Sequence, residues 1–237
     1  MMEETFDSII TCIIVRFQEL SNWARKVNIS PSLDMGKWRD AHLAKMILSL
    51  DSIICLLQKR DYVSSGALLR VLFDNWYTLI FIYEHTPERE KDLRFLLFVI
   101  DGINQRIEAH NALRISPNER VECKDELAAK EAAVFKIRKL PIYLEKGEII
   151  DKLIDKQDSW RYQSLSSKFN YYRWGDIYDL LSDDSTKPFL NFLSQYVHGL
   201  YCSNIVVGTS ENDFIPLAKE ILSLESSLLC YILESGL

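Results

Sequence analysis

Hydrophobic residues recur along this 237-residue chain at alternating steps of three and four. Such spacing places side chains on one face of an α-helix, because a helix completes a turn in about 3.6 residues. The clearest stripe lies near the start of the chain and consists of Phe6, Ile10, Ile13, Phe17, Leu20, Ala24 and Val27. The spacing predicts a long first helix.

Four further stripes have comparable spacing. One runs from Leu43 to Leu57 and the next from Leu69 to Tyr83, and the short connection at residues 60–61 predicts that these two helices are antiparallel neighbours. The other two stripes run from Phe189 to Leu200 and from Leu217 to Tyr231. They predict two closing helices.

Three Ser-Pro or Thr-Pro pairs, at 30–31, 86–87 and 116–117, separate the stripes. A hydroxyl residue before a proline is typical of a helix N-terminus, where proline fits the first helical position. The first pair predicts a break and an N-cap. The second predicts a fourth helix that continues to Ala112, and the third predicts a fifth helix that ends near Leu140.

Between residues 147 and 184 the pattern is shorter and more aromatic, which indicates short or irregular helical pieces. The chain has eight glycines and six prolines, fewer than the turns of a sheet-rich fold require. No segment has the composition of a flexible linker. We therefore expect an all-α fold, one domain spanning residues 1–237, built as a bundle of about seven to nine mostly antiparallel helices.

The most apolar segment, residues 62–83, is long enough to cross a bilayer but carries Arg70, Asp74 and Asn75 near its middle. Each charge there would cost about 2.5–3.5 kcal/mol on insertion. We expect a buried protein helix and no membrane association. The acidic start of the chain, Met1-Met2-Glu3-Glu4, is unlike the basic start of a signal peptide.

Charge and cysteine usage point to the cytoplasm and away from nucleic acid. The net charge of −6 gives no general attraction for phosphate backbones. The cysteines are odd in number and form no Cys-x-x-Cys pair, so we expect free thiols in a reducing compartment. They are Cys12, Cys55, Cys123, Cys202 and Cys230.

Familiar catalytic and cofactor motifs are missing from the sequence. Neither glycine-rich phosphate-binding pattern occurs, nor does His-Glu-x-x-His, Glu-x-x-His or Gly-x-Ser-x-Gly. No histidine follows an arginine at the spacing that HEPN-type ribonucleases use. We predict no cofactor and no metal site.

Two polar stripes need an explanation. Arg70 and Asp74 lie one turn apart in the most apolar helix, with Tyr77 on the same face. Ser194, His198 and Tyr201 follow at helical steps in the next-to-last helix, with a glycine immediately after His198. We expect the two stripes to face each other across the bundle, because a buried charge must be paired and hydrogen-bonded.

Two interpretations of these stripes stay open. In the first, Arg70 or Asp74 bonds to Ser194 or His198 and the network sets the register of the helices. In the second, the residues line a small pocket in which His198 acts as acid or base, Asp74 orients its ring and Arg70 holds an anion. The candidate catalytic residues are therefore His198, Asp74 and Arg70. The candidate ligand-binding residues are Arg70, Asp74, Tyr77, Ser194, His198 and Tyr201. The other histidines, His42, His85 and His110, are expected on the surface.

Two blocks, residues 67–84 and 174–199, resemble an uncharacterised family of bacterial all-helical proteins known only as a domain of unknown function. The residues that match its pattern are Arg70, Trp174, Ser194, His198 and Gly199. Asp74 stands where the family pattern has glutamate, which shortens the reach of the acid by about one carbon. The resemblance implies a helical fold and a shared polar centre, and it implies no activity.

Function therefore remains a choice between hypotheses. The first is a binding or interaction module for a small ligand or a protein partner. The alternative is a metal-independent hydrolase or nuclease acting on a phosphate-bearing substrate, with His198 as acid or base. A third hypothesis is a helical subunit of a larger assembly, in which a homo-oligomer is one option.

Overall fold

The computed structural model describes residues 5–30, 32–112, 123–166, 168, 170–181, 186–197 and 215–234. Within these ranges the fold is all-α, as predicted, with nine α-helices and no β-strand. An isolated antiparallel bridge pairs Tyr162 with Tyr171. The helices are α1 (Phe6–Ala24), α2 (Met35–Gln58), α3 (Tyr62–Ile80), α4 (Glu88–Ala112), α5 (Lys124–Arg138), α6 (Pro141–Ile154), α7 (Trp174–Leu181), α8 (Thr186–Val197) and α9 (Ile215–Glu234).

Side-chain caps define the first two helix starts. The hydroxyl of Thr5 accepts a hydrogen bond from the Ser8 backbone N–H at 3.3 Å and caps α1. Asp34 Oδ1 accepts from the Lys37 N–H at 2.9 Å and caps α2. The cap predicted at Ser30 was therefore misplaced by four residues. Asp34 caps the helix instead of Ser30 because it lies nearer to the apolar stripe, where its carboxylate satisfies a free N–H group of the first turn.

The connection between α2 and α3 is a tight helix stop centred on Arg60. Arg60 has φ 60°, and its N–H donates to Leu57 O at 2.9 Å while the Asp61 N–H donates to Leu56 O at 2.9 Å. This bond pair is the Schellman arrangement, in which one left-handed residue ends a helix. The chain then reverses within three residues and starts α3.

The described residues divide into two compact units. The first comprises residues 1–79 and 182–237, in which α1 packs against both α2 and α9. Its core is aliphatic, because the inward faces of these helices carry mainly leucine and isoleucine. Fully buried examples are Ile13, Leu43, Ile47, Leu50, Leu57, Ile221 and Leu228.

The second unit comprises residues 80–181, in which α4 packs against α5 and α6. It begins with a π-helical turn, Phe81–His85, and contains a short 3₁₀ turn, Ser159–Arg161, that also packs on α4. Its core is aromatic at the centre. Trp160 contacts the rings of Phe81, Phe98 and Trp174. That residues 1–237 form a single domain stays a prediction.

The start of α4 differs from its prediction in two details. Thr86 does not cap the helix, because its hydroxyl donates to Phe81 O at 2.8 Å and closes the π-helical turn. The helix itself begins at Glu88, one residue after Pro87, which the Thr-Pro pair had predicted as the first helical residue. No helix in the described ranges is both long enough and apolar enough to cross a membrane.

Candidate functional site

Arg70 and Asp74 form an ion pair on one face of α3. Arg70 Nη1 donates to Asp74 Oδ1, and the two residues are four apart, so their side chains lie one above the other. Only 12% of the Arg70 side chain is exposed, compared with 35% for Asp74. The arginine is therefore the buried member of the pair, and the carboxylate lies at the edge of the solvent.

Ser194 links this pair to α8. Arg70 Nε donates to Ser194 Oγ at 3.0 Å, and the same hydroxyl donates to the carbonyl of Leu190 at 2.9 Å. Arg70 and Ser194 are 124 residues apart in sequence and belong to the same compact unit. The structure thus brings together three of the residues that the sequence singled out, and we refer to them as the Arg70 cluster.

Three aromatic rings pack together on the same two helices, α3 and α8, that carry the Arg70 cluster. Phe73 packs edge-on against Phe189 of α8, with ring centroids 6.4 Å apart, and lies 6.2 Å from Tyr77. Tyr77 is 5% exposed. Tyr77 is therefore a buried neighbour of Phe73 on α3, and its predicted role in ligand binding stays a prediction.

The remaining predicted site residues, His198 and Tyr201, lie outside the described residues, as does Gly199. The roles that the sequence suggested for them stay predictions. Ser194 is the described member of that polar stripe, and α8 is described to Val197.

The chemistry of the Arg70 cluster follows from its burial. Taking a guanidinium out of water costs several kcal/mol unless a counter-charge and hydrogen bonds compensate. Asp74 supplies the charge and Ser194 supplies an acceptor from a second helix. The arrangement is suited to fixing α3 and α8 in register. It also leaves the Asp74 carboxylate within reach of solvent.

His42 differs from its expected surface position. Its ring is half-buried and stacks on Trp38 with centroids 4.6 Å apart, and its Nε2 lies 3.2 Å from the carbonyl oxygen of Asn75. Burial lowers the pKa of His42 to about 4, so the ring is neutral at pH 7 and its Nε2–H donates to that carbonyl. This bond joins the first part of α2 to the last part of α3, as expected for antiparallel neighbours. His85 and His110 are exposed, as predicted.

A second polar centre, in the other unit, was missed by the sequence analysis. Arg94 of α4 is 3% exposed, and its Nη1 and Nη2 donate to the carbonyls of Trp160 at 2.6 Å and Tyr162 at 3.0 Å. The guanidinium lies over the rings of Phe81 at 4.6 Å and Tyr162 at 4.2 Å. Arg94 therefore holds the 3₁₀ turn against α4 through both hydrogen bonds and cation–π contacts.

Glu90 supplies the counter-charge one turn before Arg94. The Tyr162 hydroxyl donates to Glu90 Oε2 at 2.9 Å. Burial lowers the pKa of Arg94, and the neighbouring Tyr162 and Glu90 oppose that shift. Burial also raises the pKa of Tyr162, so that its phenol keeps its proton and remains a donor.

Asp101 fixes the same segment from the next part of α4. Asp101 Oδ1 accepts from the Asp158 backbone N–H at 3.0 Å, and Oδ2 accepts from Gln105 at 3.0 Å. The sequence does contain a signal for this centre. Arg94 and Asp101 stand seven residues apart with Leu97 between them, and thus place two charges on the buried face of α4.

Comparison with known families gives one match. Residues 41–214, well over half of the chain, match a family described as a family of unknown function (DUF5677). The matched range includes the Arg70 cluster and Arg94. No curated protein and no solved structure matches the chain.

Proposed function

The chain belongs to the family of unknown function DUF5677, and from the geometry of the Arg70 cluster we propose that it is a non-catalytic binding module. In this proposal the cluster forms the fixed base of a ligand site that His198 and Tyr201 complete. The ligand is a small molecule or a segment of a protein partner. The proposed location is the bacterial cytoplasm, which fits the free thiols of Cys12, Cys55, Cys123 and Cys230 among the described residues.

The observation that carries the proposal is the internal pairing of Arg70. A hydrolase acting on a phosphate-bearing substrate needs an arginine whose charge and donors are available to the anion. Here Asp74 neutralises the charge and Ser194 accepts from Nε, while 12% of the side chain is exposed. A phosphate would have to displace the carboxylate of Asp74. The pairing therefore favours binding over anion-assisted catalysis.

His198 has a correspondingly simple role in the proposal. It follows Ser194 by one helical turn in sequence, so we propose that it offers the ligand a hydrogen bond and transfers no proton. Gly199, which has no side chain, would permit close approach of a ligand there.

The test separates binding from hydrolysis in two measurements. The protein is incubated with a cytosolic extract of small molecules and desalted, and native mass spectrometry detects any mass that it retains. His198→Ala should lose the retained mass, whereas His110→Ala, a substitution of an exposed histidine, should keep it. Equal retention by both variants, or no retained mass on the wild type, would count against the proposal for small-molecule ligands.

The second measurement addresses the hydrolase alternative. The protein is mixed with a single-stranded RNA oligonucleotide and with bis(p-nitrophenyl) phosphate, and product is followed over hours. We expect no turnover above buffer. Turnover that His198→Ala abolishes and His110→Ala preserves would replace the binding proposal with the hydrolase or nuclease alternative.

A further inference from the structure

Helix α5 carries apolar side chains on two of its sides. One side anchors the helix in the unit formed by residues 80–181 through its buried residues, Ala133 and Ile137. The other side, which we call the α5 face, consists of Leu127, Glu131, Val134, Phe135 and Arg138. We propose that the α5 face binds the α5 face of a second copy of this chain, with the two helices antiparallel about a twofold axis.

The centre of the α5 face is apolar and accessible. Phe135 is 60% exposed and Leu127 is 51% exposed, two turns apart on the same side of the helix, with Val134 between them. The residues of the α5 face line one open depression of about 430 Å³. Lys139 Nζ lies 4.0 Å from the centroid of the Phe135 ring and covers only one side of that ring. Isolated exposed apolar residues are ordinary, but a continuous group of them marks a contact surface.

The charges of the α5 face are placed symmetrically about this apolar centre. Glu131 and Arg138 stand seven residues apart, which separates their backbones by about 10 Å along the helix and keeps the two groups from pairing with each other. Neither forms a hydrogen bond or an ion pair with another residue in the described ranges. The midpoint between them falls between Val134 and Phe135. An antiparallel copy centred at that midpoint brings each Glu131 against the Arg138 of the other copy.

This symmetry is the argument for a second copy as the partner. In a twofold contact the same surface serves both sides, so each acid must meet a base at the mirrored position. The α5 face satisfies that condition with two ion pairs around a shared apolar centre. A parallel arrangement would instead oppose Glu131 to Glu131 and Arg138 to Arg138, and like charges in contact disfavour association. A different protein would require no such internal symmetry.

The size of the contact sets the expected affinity. Helix α5 has 15 residues, about four turns, and only one of its faces would be covered. Stable interfaces bury at least about 1,200 Å² in total, and smaller ones are transient. We therefore expect a reversible dimer with a dissociation constant of about 10–100 µM. The exposed Ala128 and Ala132, which lie beside Phe135, allow the two helices to approach closely.

The test is sedimentation equilibrium of the full chain at concentrations up to about 500 µM, above the expected dissociation constant. Glu131→Arg and Arg138→Glu should each weaken the dimer about tenfold or more, because each replaces two ion pairs by two contacts between like charges. An equimolar mixture of the two variants should recover the affinity of the wild type. In that mixture one copy supplies bases at both positions and the other supplies acids at both.

The matched control reverses charges of the same signs outside the α5 face. Glu148→Arg and Lys152→Glu change two exposed residues of α6, and each should leave the affinity within a factor of about two, with no gain on mixing. A wild type that stays monomeric at about 500 µM would assign the α5 face to a different partner and overturn the proposal. Single reversals at residues 131 and 138 that leave the dimer intact would also overturn it, as would a mixture that associates no more tightly than its components.

Discussion

Arg16 of α1 and Glu225 of α9 meet at the α1–α9 interface without forming a hydrogen bond. Arg16 Nη1 instead donates to the carbonyl of Leu222 at 3.2 Å and to the hydroxyl of Ser226. Both carboxyl oxygens of Glu225, which is 0% exposed, have no partner among the described residues. Burial raises the pKa of Glu225 to about 8, and the charge of Arg16 only partly opposes the shift.

This carboxyl predicts a stability that falls with rising pH. In the unfolded chain Glu225 ionises near pH 4.5, whereas in the fold it keeps its proton to about pH 8. Between these values the folded state binds more protons, so the free energy of unfolding decreases as pH rises, and the loss is complete above pH 8. Glu225→Gln should remove this dependence and stabilise the protein by a few kcal/mol at pH 8.5.

The measurement is urea unfolding of both proteins from pH 4 to pH 8.5, and the quantity of interest is the difference between them. Glu234→Gln, which changes an exposed glutamate on the same helix, serves as the control. A difference between wild type and Glu225→Gln that stays constant over this range would contradict the burial of an uncompensated carboxyl.

His42 predicts a pH dependence of the opposite sign. Its pKa of about 4 lies below the value of 6.5 for a histidine in the unfolded chain. Between pH 6.5 and pH 4 the unfolded state therefore binds a proton that the folded state does not bind. The free energy of unfolding should fall as pH falls through that window. His42→Gln, which cannot titrate, should lack this contribution, with His110→Gln as the control for removing a histidine.

Proton NMR gives a direct check on the same residue. The His42 ring resonances should show no titration between pH 8 and pH 5. A midpoint near pH 6.5 would mean that the ring is solvated and that its bond to Asn75 O is not maintained.

The Arg70 cluster predicts energetic coupling between α3 and α8. Ser194→Ala should cost about 1 kcal/mol, the usual net value of one hydrogen bond. Arg70→Met should cost about 1–3 kcal/mol, because it leaves Ser194 Oγ without its donor and the partly exposed Asp74 carboxylate without its counter-charge. The double variant should lose about 1 kcal/mol less than the sum of the losses in the two single variants, as measured by urea unfolding. Strict additivity would show that the 3.0 Å contact contributes nothing to stability.

The helix stop at Arg60 predicts that a glycine substitution at this position is more stable than an alanine substitution. Arg60 adopts φ 60°, a conformation that costs a side-chain-bearing residue about 1 kcal/mol relative to glycine. Its guanidinium also lies over the Phe6 ring at 4.5 Å. Arg60→Gly removes both effects and should be nearly neutral, whereas Arg60→Ala keeps the strain and loses the ring contact. The glycine variant should therefore melt several degrees above the alanine variant.

Helical periodicity was sufficient to predict the fold class and most helices, because leucine and isoleucine stripes determine which faces associate. Ile13, Leu43 and Ile221 all lie on predicted stripes and are fully buried. Helix starts were less predictable. Ser30 and Asp34 are both good caps in isolation, and only the surrounding chain decides which one meets the first turn.

The contacts of buried polar residues could be predicted from the sequence only in part. The pairing of Arg70 with Asp74 follows from a spacing of four, but its bond to Ser194 depends on how two helices distant in sequence pack together. The role of Arg94 depends on two carbonyls, of Trp160 and Tyr162, which lie outside any regular α-helix. Periodicity places Arg94 on the buried face of α4, but it carries no information on the segment that supplies these carbonyls, so it could not predict their bonds to Arg94.

The π-helical turn Phe81–His85 has a consequence for how this chain tolerates insertions and deletions. A wide turn contains one residue more than the α-helical path would use, and Phe81, Ile82 and Tyr83 are all buried within it. Removing one residue between 81 and 85 would restore ordinary helical winding and rotate everything after it by about 100°. The ring of His85 stacks on Phe81 with centroids 5.8 Å apart, and this pairing would be lost, so the length of this five-residue segment is constrained more strictly than its composition.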